Sequence, residues 1–388
     1  MRSKWKKAML CTGMVLMLAG CGKAQEAYEE GMKLAITEQY EKSLPYFEEA
    51  IKESPEQAEY YIGYGMVLNH MGSYEEAKEV LKKVLNEKDN KISKENNKQI
   101  YYGLAIAGSN LGEYDDVITY CGKALEITYL GDIDCDILYT RMLAYSRKEE
   151  WESAKKDCEK IIDLNKTYYD AYFALAEVER ALGNNDEAVK AYLKLIEEDE
   201  ENYDAYFALY DQYCYSGQED AANELLEQIF ALEAENEENM LVMGRAYLYR
   251  KEYDKAEQCL GMAYTGGRKE SKLYMGLVYA EQLMYEQAVD AFTTYMKECD
   301  PEAEVYYHLA LVYMAQEEYE QAQNALTTGL SYGNSSVSQK LRKTQVILLE
   351  KQNQYEEALV AAKEYKKLYP SDSAMKKEIS FIKTRIKK

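Results

Sequence analysis

Proline and flexible linker sequence are nearly absent from this chain. Only 4 of the 388 residues are Pro, and no stretch is rich in Ser, Gly and Pro together. Hydrophobic residues make up 47%, which is enough to bury a continuous core. The composition therefore excludes a disordered chain and a string of domains on flexible linkers.

Histidine is almost as scarce, and this limits the chemistry that the chain can perform. The two histidines, His70 and His308, lie far apart, and neither belongs to a metal-ligand spacing. No Gly-rich phosphate loop or Ser elbow is present, and acidic runs such as residues 197–202 lack the pattern of a calcium loop. We therefore predict no enzyme activity, no cofactor and no metal site.

Positive charge is the third deficit. Lys and Arg number 47 against 69 Asp and Glu, for a net charge of −22. Loss of residues 1–20, which carry four basic residues, would take the charge to −26. A polyanion of this size is repelled by phosphate backbones, so nucleic acid is excluded as a partner.

Long apolar runs are missing as well. The longest near the N-terminus, residues 8–19, has twelve residues and follows the basic segment MRSKWKK. A helix that crosses a bilayer needs about twenty, so this run fits the core of a secretory signal. The next residues, Leu18-Ala19-Gly20-Cys21, resemble the lipobox of bacterial lipoproteins. The resemblance implies removal of residues 1–20, lipidation of Cys21, and an anchor on the extracytoplasmic face of the bacterial cell membrane.

The rest of the chain repeats one pattern about every 34 residues. In segments such as SYEEAKEVL and EYDKAEQCL, an aromatic residue is followed three positions later by a small one. Two helix-period apolar stripes per repeat flank a short break, which holds Gly72, Gly112, Gly183 or Gly217 in four repeats. Tyrosine holds the aromatic position in seven repeats, where we expect it to fill the space between neighbouring repeats.

This pattern resembles the tetratricopeptide repeat (TPR). The resemblance implies an all-α fold, a right-handed α-solenoid of about ten TPR-like helix hairpins with a C-terminal capping helix. We expect residues 21–23 to form a minimal tether, 24–371 the repeats and 372–388 the cap. Residues 88–97 are predicted to be a solvated loop. Ser371, Asp372 or Ser373 should begin the last helix, with Met375, Ile379, Ile382 and Ile386 as its apolar stripe.

Six cysteines remain after Cys11 and Cys21 are set aside. Cys121 and Cys158 occupy equivalent positions of neighbouring repeats, where helix axes lie about 8–10 Å apart. This distance favours buried thiols over disulfides.

In this family the first helices of successive repeats line a groove that binds peptides or partner helices. The corresponding positions predict aromatic and apolar anchors around a charged centre. The candidate binding residues are Met66, Tyr102, Ile106, Tyr139, Leu143, Phe173, Glu177, Arg180, Phe207, Asp211 and Arg245. The alternative is that curvature buries the apolar members and the charged ones are only solvated. A clamp for a partner's C-terminal carboxylate is not expected, because Lys343 is the lone basic residue at the corresponding positions and Ile347 follows it.

Two functions fit these features. The first is a membrane-anchored, extracytoplasmic scaffold that binds a protein or peptide partner through its groove. The second is a lipoprotein that binds glycan or cell-wall fragments by stacking them on a Tyr-lined groove. A hydrolase ranks last, because no catalytic set of residues accompanies the repeats.

Overall fold

The computed structural model describes residues 22–86, 88–232, 236–333, 337–370 and 372–386. Within these ranges every regular element is helical. Contacts divide the chain into two compact units, unit 1 up to Val178 and unit 2 from Glu179. The predicted all-α architecture of hairpins with a C-terminal helix is confirmed. Among the described helices, none combines the length and the apolar content needed to cross a membrane.

Unit 1 consists of helices joined by short turns into antiparallel pairs. In chain order they are α1 (Lys23–Ile36), α2 (Tyr40–Glu53), α3 (Ala58–His70), α4 (Tyr74–Lys82), α5 (Lys91–Leu111), α6 (Tyr114–Glu126), α7 (Asp134–Arg147) and α8 (Trp151–Leu164). A 3-10 turn over Gly131–Ile133 precedes α7. The unit ends within α9 (Asp170–Ala181), three residues before the end of that helix.

Unit 2 continues the same alternation. Its helices are α10 (Asn185–Glu198), α11 (Tyr203–Tyr215), α12 (Glu219–Phe230), α13 (Glu237–Tyr249), α14 (Tyr253–Thr265), α15 (Ser271–Glu281), α16 (Tyr285–Glu298), α17 (Ala303–Ala315), α18 (Tyr319–Ser331), α19 (Ser338–Lys351), α20 (Tyr355–Leu368) and α21 (Ser373–Ile386). Odd-numbered helices up to α19 are the first helices of the ten hairpins, and even-numbered ones are the second.

Small residues let the two helices of a hairpin approach closely. A Cβ atom at Gly65 of α3 would lie 2.6 Å from Cγ of Leu81 on α4. A Cβ at Gly276 of α15 would lie 2.5 Å from a ring carbon of Phe292 on α16. Both distances are shorter than any van der Waals contact, so the large residue of one helix packs into the space that glycine leaves in the other.

Tyrosine at the start of a second helix packs against the next hairpin, as its position predicts. The ring of Tyr40 in α2 stacks on the ring of His70 in α3, with centroids 5.0 Å apart. His70 is therefore part of the packing between the first two hairpins.

Each hairpin turn contains one residue in the left-handed conformation. Four of these are the predicted glycines, Gly72, Gly112, Gly183 and Gly217, with φ between 70° and 83°. In the other six hairpins a residue with a side chain adopts φ between 59° and 62°. These residues are Glu38, Glu149, Lys251, Leu283, Glu317 and Asn353. Since a side chain disfavours this conformation, hairpin packing must impose it there.

The predicted loop at residues 88–97 is wrong in its C-terminal part. Helix α5 begins at Lys91 and runs for 21 residues, so only residues up to Asn90 lie outside it. The Asn90 side chain accepts a hydrogen bond from the amide of Ser93 at 2.9 Å, and Ser93 is buried. With this cap, α5 begins two turns before the first helix that the repeat pattern indicates. The polar residues after Asn90 are helical because they extend a helix whose start is already capped.

The C-terminal helix forms as predicted and packs against the last hairpin. Asp372 caps it, since its Oδ1 accepts hydrogen bonds from the amides of Ala374 at 2.9 Å and Met375 at 3.1 Å. Met375 and Ile382 are buried, and Ile379 and Ile386 pack against the same cluster. Ser371 lies outside the described residues.

Four of the cysteines, Cys121, Cys214, Cys259 and Cys299, are free thiols. Burial raises the pKa of the Cys121 thiol, so this cysteine is a small apolar core residue rather than a nucleophile.

Candidate functional site

The residue predicted to carry the lipid, Cys21, lies outside the described part of the chain. The structure begins at Gly22, which is extended, and α1 starts at the next residue. Lys23 forms ion pairs with Glu49 at 2.9 Å and Glu53 at 3.2 Å on α2. The first hairpin is therefore ordered immediately after the predicted lipidation site.

Two of the predicted anchors in unit 1 are core residues. Met66 and Tyr102 are 8% and 7% exposed. The expectation that they offer a binding surface is corrected here, because neighbouring first helices pack closely enough to cover these positions. Ile106 and Leu143 are half-buried, so the apolar row of unit 1 is only partly open to solvent.

Tyr139 belongs to an aromatic cluster that joins two hairpins of unit 1. Its ring lies 5.7 Å from that of Tyr168, whose hydroxyl donates to Asp136 Oδ1 at 2.8 Å. Burial raises the pKa values of both tyrosines, and the Asp136 charge raises that of Tyr168 further. Tyr139 and Phe173 are half-buried. The row of rings in unit 1 therefore mostly packs hairpin on hairpin.

Phe207, a predicted anchor of unit 2, is 2% exposed and also corrects the expectation. The guanidinium of Arg245 covers one part of it, with its carbon 4.3 Å from the ring centroid. The ring of Tyr249 stacks on it at 5.0 Å. Phe207 is therefore a buried residue on which Arg245 and Tyr249 pack, and it offers no surface to a partner.

Arg245 is held between two rings and a carboxylate. Its guanidinium carbon lies 4.7 Å from the ring centroid of Tyr274. Its Nη2 contacts Asp204 Oδ1 at 2.6 Å. Burial raises the pKa of Tyr274 to about 12, although the charge of Arg245 opposes this. Residues of three first helices, α11, α13 and α15, contact this side chain. These contacts within the chain hold the guanidinium in one position.

The charge of Lys340 acts on the Asp211 carboxyl although the two residues are four hairpins apart in sequence. Burial raises the pKa of Asp211, and a hydrogen bond from the Tyr249 hydroxyl, at 3.5 Å, and the charges of Lys340 and Arg180 oppose this rise. Both Asp211 and Lys340 keep contact with solvent. Within unit 2, first helices α11 and α19 thus present opposite charges toward one another.

Glu304 on α17 adds a further charge to this arrangement. His308 Nε2 lies 3.7 Å from Glu304 Oε1. The interaction with His308 lowers the pKa of Glu304, and the charges of Lys340 and Arg245 lower it further. The Lys340 ammonium lies 5.9 Å from the ring centroid of Tyr307 on α17.

These side chains form one surface, which we name the charged face of unit 2. It comprises Asp211, Arg245, Tyr249, Tyr274, Glu304 and Lys340. Five first helices, α11 to α19, contribute to it. At the same helical position as Arg245, α17 and α19 carry Leu311 and Ile347, which are 39% and 41% exposed. Fixed charges beside exposed apolar side chains are typical of surfaces that bind proteins.

The predicted charged centre is distributed over both units. Glu177 is an exposed residue of unit 1, whereas Arg180, Asp211 and Arg245 lie in unit 2. The Arg180 guanidinium lies 5.8 Å from the ring centroid of Tyr215. Within unit 2, Arg180 lies close enough to Asp211 to affect its titration.

Comparing equivalent positions of the repeats did not predict four residues of this face, Tyr249, Tyr274, Glu304 and Lys340. A signal for Lys340 was present. At one repeat position near the start of the first helix the residue is acidic in the four preceding repeats, as Asp204, Glu238, Glu270 and Glu304, and is Lys340 in the last. Tyr249 and Tyr274 occupy different positions of their repeats, so comparison at fixed positions could not group them.

The described residues hold no group of His, Cys, Asp and Glu side chains arranged to bind a metal ion. Lys343, the lone basic residue at the carboxylate-clamp positions, is engaged with the C-terminal helix, its Nζ 3.4 Å from Asp372 Oδ2. It is therefore committed to the cap of α21.

Three segments match models of known families. Residues 34–94 match one tetratricopeptide repeat model, and residues 169–202 and 303–332 match another. The chain contains tetratricopeptide repeats. The resemblance that the sequence pattern indicates is confirmed for these segments, whereas the lipoprotein signal stays a prediction. TPR proteins are generally scaffolds without catalytic activity, and the repeats support a role in protein–protein interaction.

Solved structures similar to the chain include several TPR proteins. A TPR protein from Parabacteroides merdae is 19% identical over 66% of this chain and 98% of its own, with a TM-score of 0.43. YrrB, described as a TPR protein with an unusual peptide-binding site, is 21% identical over 53% and 97%, with a TM-score of 0.39. The Cut9–Hcn1 hetero-tetramer of APC/C is 12% identical over 94% and 84%, with a TM-score of 0.42. No curated protein sequence matches the chain.

Proposed function

We propose that the chain is a lipid-anchored TPR scaffold on the extracytoplasmic face of the bacterial cell membrane. It binds a protein or peptide partner on the charged face of unit 2. The observation that carries this proposal is the meeting of fixed charges from consecutive first helices. Arg245, held between Phe207 and Tyr274, faces the same surface as Asp211, Glu304 and Lys340.

The contacts of the face favour a macromolecular partner over a small ligand. Its charges alternate in sign and are distributed over four helices, α11, α13, α17 and α19, so a partner must be long enough to contact several of them. Leu311 and Ile347 supply apolar anchors beside them. Rigid charges limit the entropy lost on binding and select against partners of the wrong charge pattern.

The glycan alternative finds less support in these contacts. Stacking on a sugar needs an exposed ring face, and Tyr102 and Phe207 are buried. Tyr139 packs against Tyr168. The predicted row of four rings therefore offers no continuous stacking surface.

Site-specific photo-crosslinking in cells tests the partner site. A crosslinking amino acid replaces Leu311 on α17, and the matched control replaces Val360, which is 57% exposed on the second helix α20. We expect one defined protein to crosslink from residue 311 and not from 360. The charge reversal Lys340→Glu should abolish that crosslink without changing the amount of protein. Equal crosslinking from both positions, or crosslinking that survives the charge reversal, would contradict the proposed site.

Metabolic labelling with a clickable fatty acid tests the anchor separately. The wild-type chain should take up the label and fractionate with membranes, whereas Cys21→Ser should do neither. The neighbouring variant Gly22→Ser, which keeps the thiol, should behave as wild type. Labelling that persists in Cys21→Ser would refute the anchor while leaving the partner site intact.

A further inference from the structure

The outward face of α21 is basic in a chain of opposite charge. Its exposed side chains include Lys376, Lys377, Lys383 and Arg385, and no exposed residue of the helix is acidic. The one acidic residue of α21, Glu378, is half-buried near Glu350 of α19, whose pKa the Glu378 charge raises. Among the described residues, none of these four cations forms an ion pair.

Some exposed lysines on other helices are neutralised by a neighbouring carboxylate. Lys33 pairs with Glu30 and Lys190 with Glu187, each one turn away on the same helix. Within α21, no carboxylate lies three or four residues from any of these four cations. Its charge is therefore available to a partner from outside the chain.

The helix dipole does not account for this charge. Cations stabilise the C-terminal turn of a helix, which explains Lys383 and Arg385. Lys376 and Lys377, however, lie at the fourth and fifth residues of α21, near the end where the dipole disfavours positive charge. Two of the four basic residues thus have no role in stabilising their own helix.

An exposed aromatic ring lies at one edge of this face, on the side of Lys377 and Arg385, whereas Lys376 and Lys383 lie at the other edge. Phe381 is 43% exposed and stands apart from the apolar stripe of α21, which is buried against α20 and α19. The Arg385 guanidinium covers part of its ring, with its carbon 5.0 Å from the centroid. Lys377 lies one turn before Phe381 and Arg385 one turn after, so the ring is flanked by cations along the helix.

We propose that this face of α21 binds the surface of an anionic phospholipid bilayer. The basic side chains contact lipid phosphates, and Phe381 inserts its ring at the depth of the headgroups. An aromatic side chain among cations on one helix face suits this interface, because the ring gains from leaving water while the charges stay at the phosphates. An acidic protein surface would attract the cations but offers no comparable apolar layer for Phe381. The proposal does not depend on the partner site of unit 2.

Lysine footprinting of the full chain on vesicles provides a local test. The chain is mixed with vesicles of phosphatidylglycerol and phosphatidylcholine, or of phosphatidylcholine alone, and acetylated briefly. On anionic vesicles, acetylation of Lys376, Lys377 and Lys383 should fall at least fivefold, whereas that of the exposed Lys52 and Lys82 should not change. The protection should decrease in high salt, because screening weakens the attraction to phosphates.

Two variants separate the contributions. Phe381→Ser, on the exposed face, should reduce the protection severalfold without unfolding the helix, and Val360→Ser on α20 serves as its control. Lys376→Glu together with Lys377→Glu should abolish the protection of Lys383. Equal protection on both kinds of vesicle, or no protection on either, would overturn the proposal. Protection that grows with protein concentration in the absence of vesicles would also overturn it, in favour of an acidic surface on a second copy.

Discussion

Units 1 and 2 are built from the same hairpin but treat their charges differently. In unit 1 three cations are taken into the packing. Lys98 is fully buried, Lys78 contacts Glu113 Oε2 at 2.5 Å, and Arg141 contacts Asp157 at 2.6 Å. In unit 2 Arg245 is packed in the same way, whereas the first-helix charges of Asp211, Glu304 and Lys340 reach solvent. The same repeat can thus use a charge to join hairpins or to present a surface.

The largest expected effect tests the charges of unit 1. Lys98 Nζ donates to the carbonyls of Ile127 at 2.9 Å and Tyr129 at 2.8 Å, and makes an ionic contact with Asp134 Oδ1 at 2.6 Å. Lys98→Met leaves these groups without their cation. We expect a loss of about 3 kcal/mol in the free energy of unfolding, measured by urea titration.

The matched variant in unit 2 is Lys340→Met. Because Lys340 is solvated, its removal should change the free energy of unfolding by less than about 0.5 kcal/mol. If the two variants lose similar stability, the difference between the units does not hold.

The second prediction concerns a charge of unit 2 that is used for packing. The Asp372 carboxylate caps α21 and also accepts from the Tyr365 hydroxyl at 2.6 Å. Asp372→Ala should cost about 2 kcal/mol and speed hydrogen exchange throughout α21. Asp372→Asn, which keeps a capping oxygen, should lose less. Unchanged exchange in α21 would show that the helix does not depend on this cap.

The third prediction is a dependence on pH at the contact between α19 and α21. Burial and the charge of the nearby Glu378 together raise the pKa of Glu350 to about 7. In the unfolded chain Glu350 ionises near pH 4.3, so its contribution to stability is present at low pH and is lost as the pH rises toward 7.

Glu350→Gln keeps the shape of the side chain and cannot ionise. Relative to wild type it should gain on the order of 1 kcal/mol between pH 5 and 8, a value reduced by the solvent that screens this pair. Unfolding by urea at several pH values measures the difference. The control Glu357→Gln, exposed on α20, should give a constant difference.

The smallest expected effect is one that both units share. Leu283 in unit 2 and Glu149 in unit 1 hold the left-handed position of their turns. Replacing either residue with Gly removes the strain of a side chain in that conformation. The greater conformational entropy of Gly in the unfolded chain offsets part of this gain in stability. We expect a gain of about 0.5 kcal/mol for each variant by thermal unfolding. A loss at one of them would mean that its side chain contributes contacts outweighing the strain.

The hairpins were predictable from sequence because their requirements are local. Small residues, aromatic positions and turn glycines such as Gly72 recur at fixed spacing, and each has one structural reason. The cap of α21 was predictable for the same reason, since Asp372 precedes an apolar stripe of helical period. The start of α5 was not, because the capping residue Asn90 lies outside the repeat pattern.

The candidate site was less predictable, because exposure depends on how closely hairpins stack. Met66 lies at the same repeat position as the exposed Leu311 and Ile347, and only packing distinguishes them. The effect of Lys340 on Asp211 arises from the combined geometry of several hairpins, which no single repeat encodes. Charge reversal at a repeated position, as at Lys340, is the signal that sequence comparison can use.

The left-handed residue of each turn also indicates where the chain tolerates a change in length. The number of residues between the left-handed residues of successive turns is greatest from Gly72 to Gly112. The added residues lie in the junction before α5 and in the first turns of that helix. The next longest interval holds the 3-10 turn before α7. In both cases the turn inside the hairpin is unaltered. Extra residues therefore belong at the joints between hairpins, and an inserted tag or reporter has its safest place near Asn90.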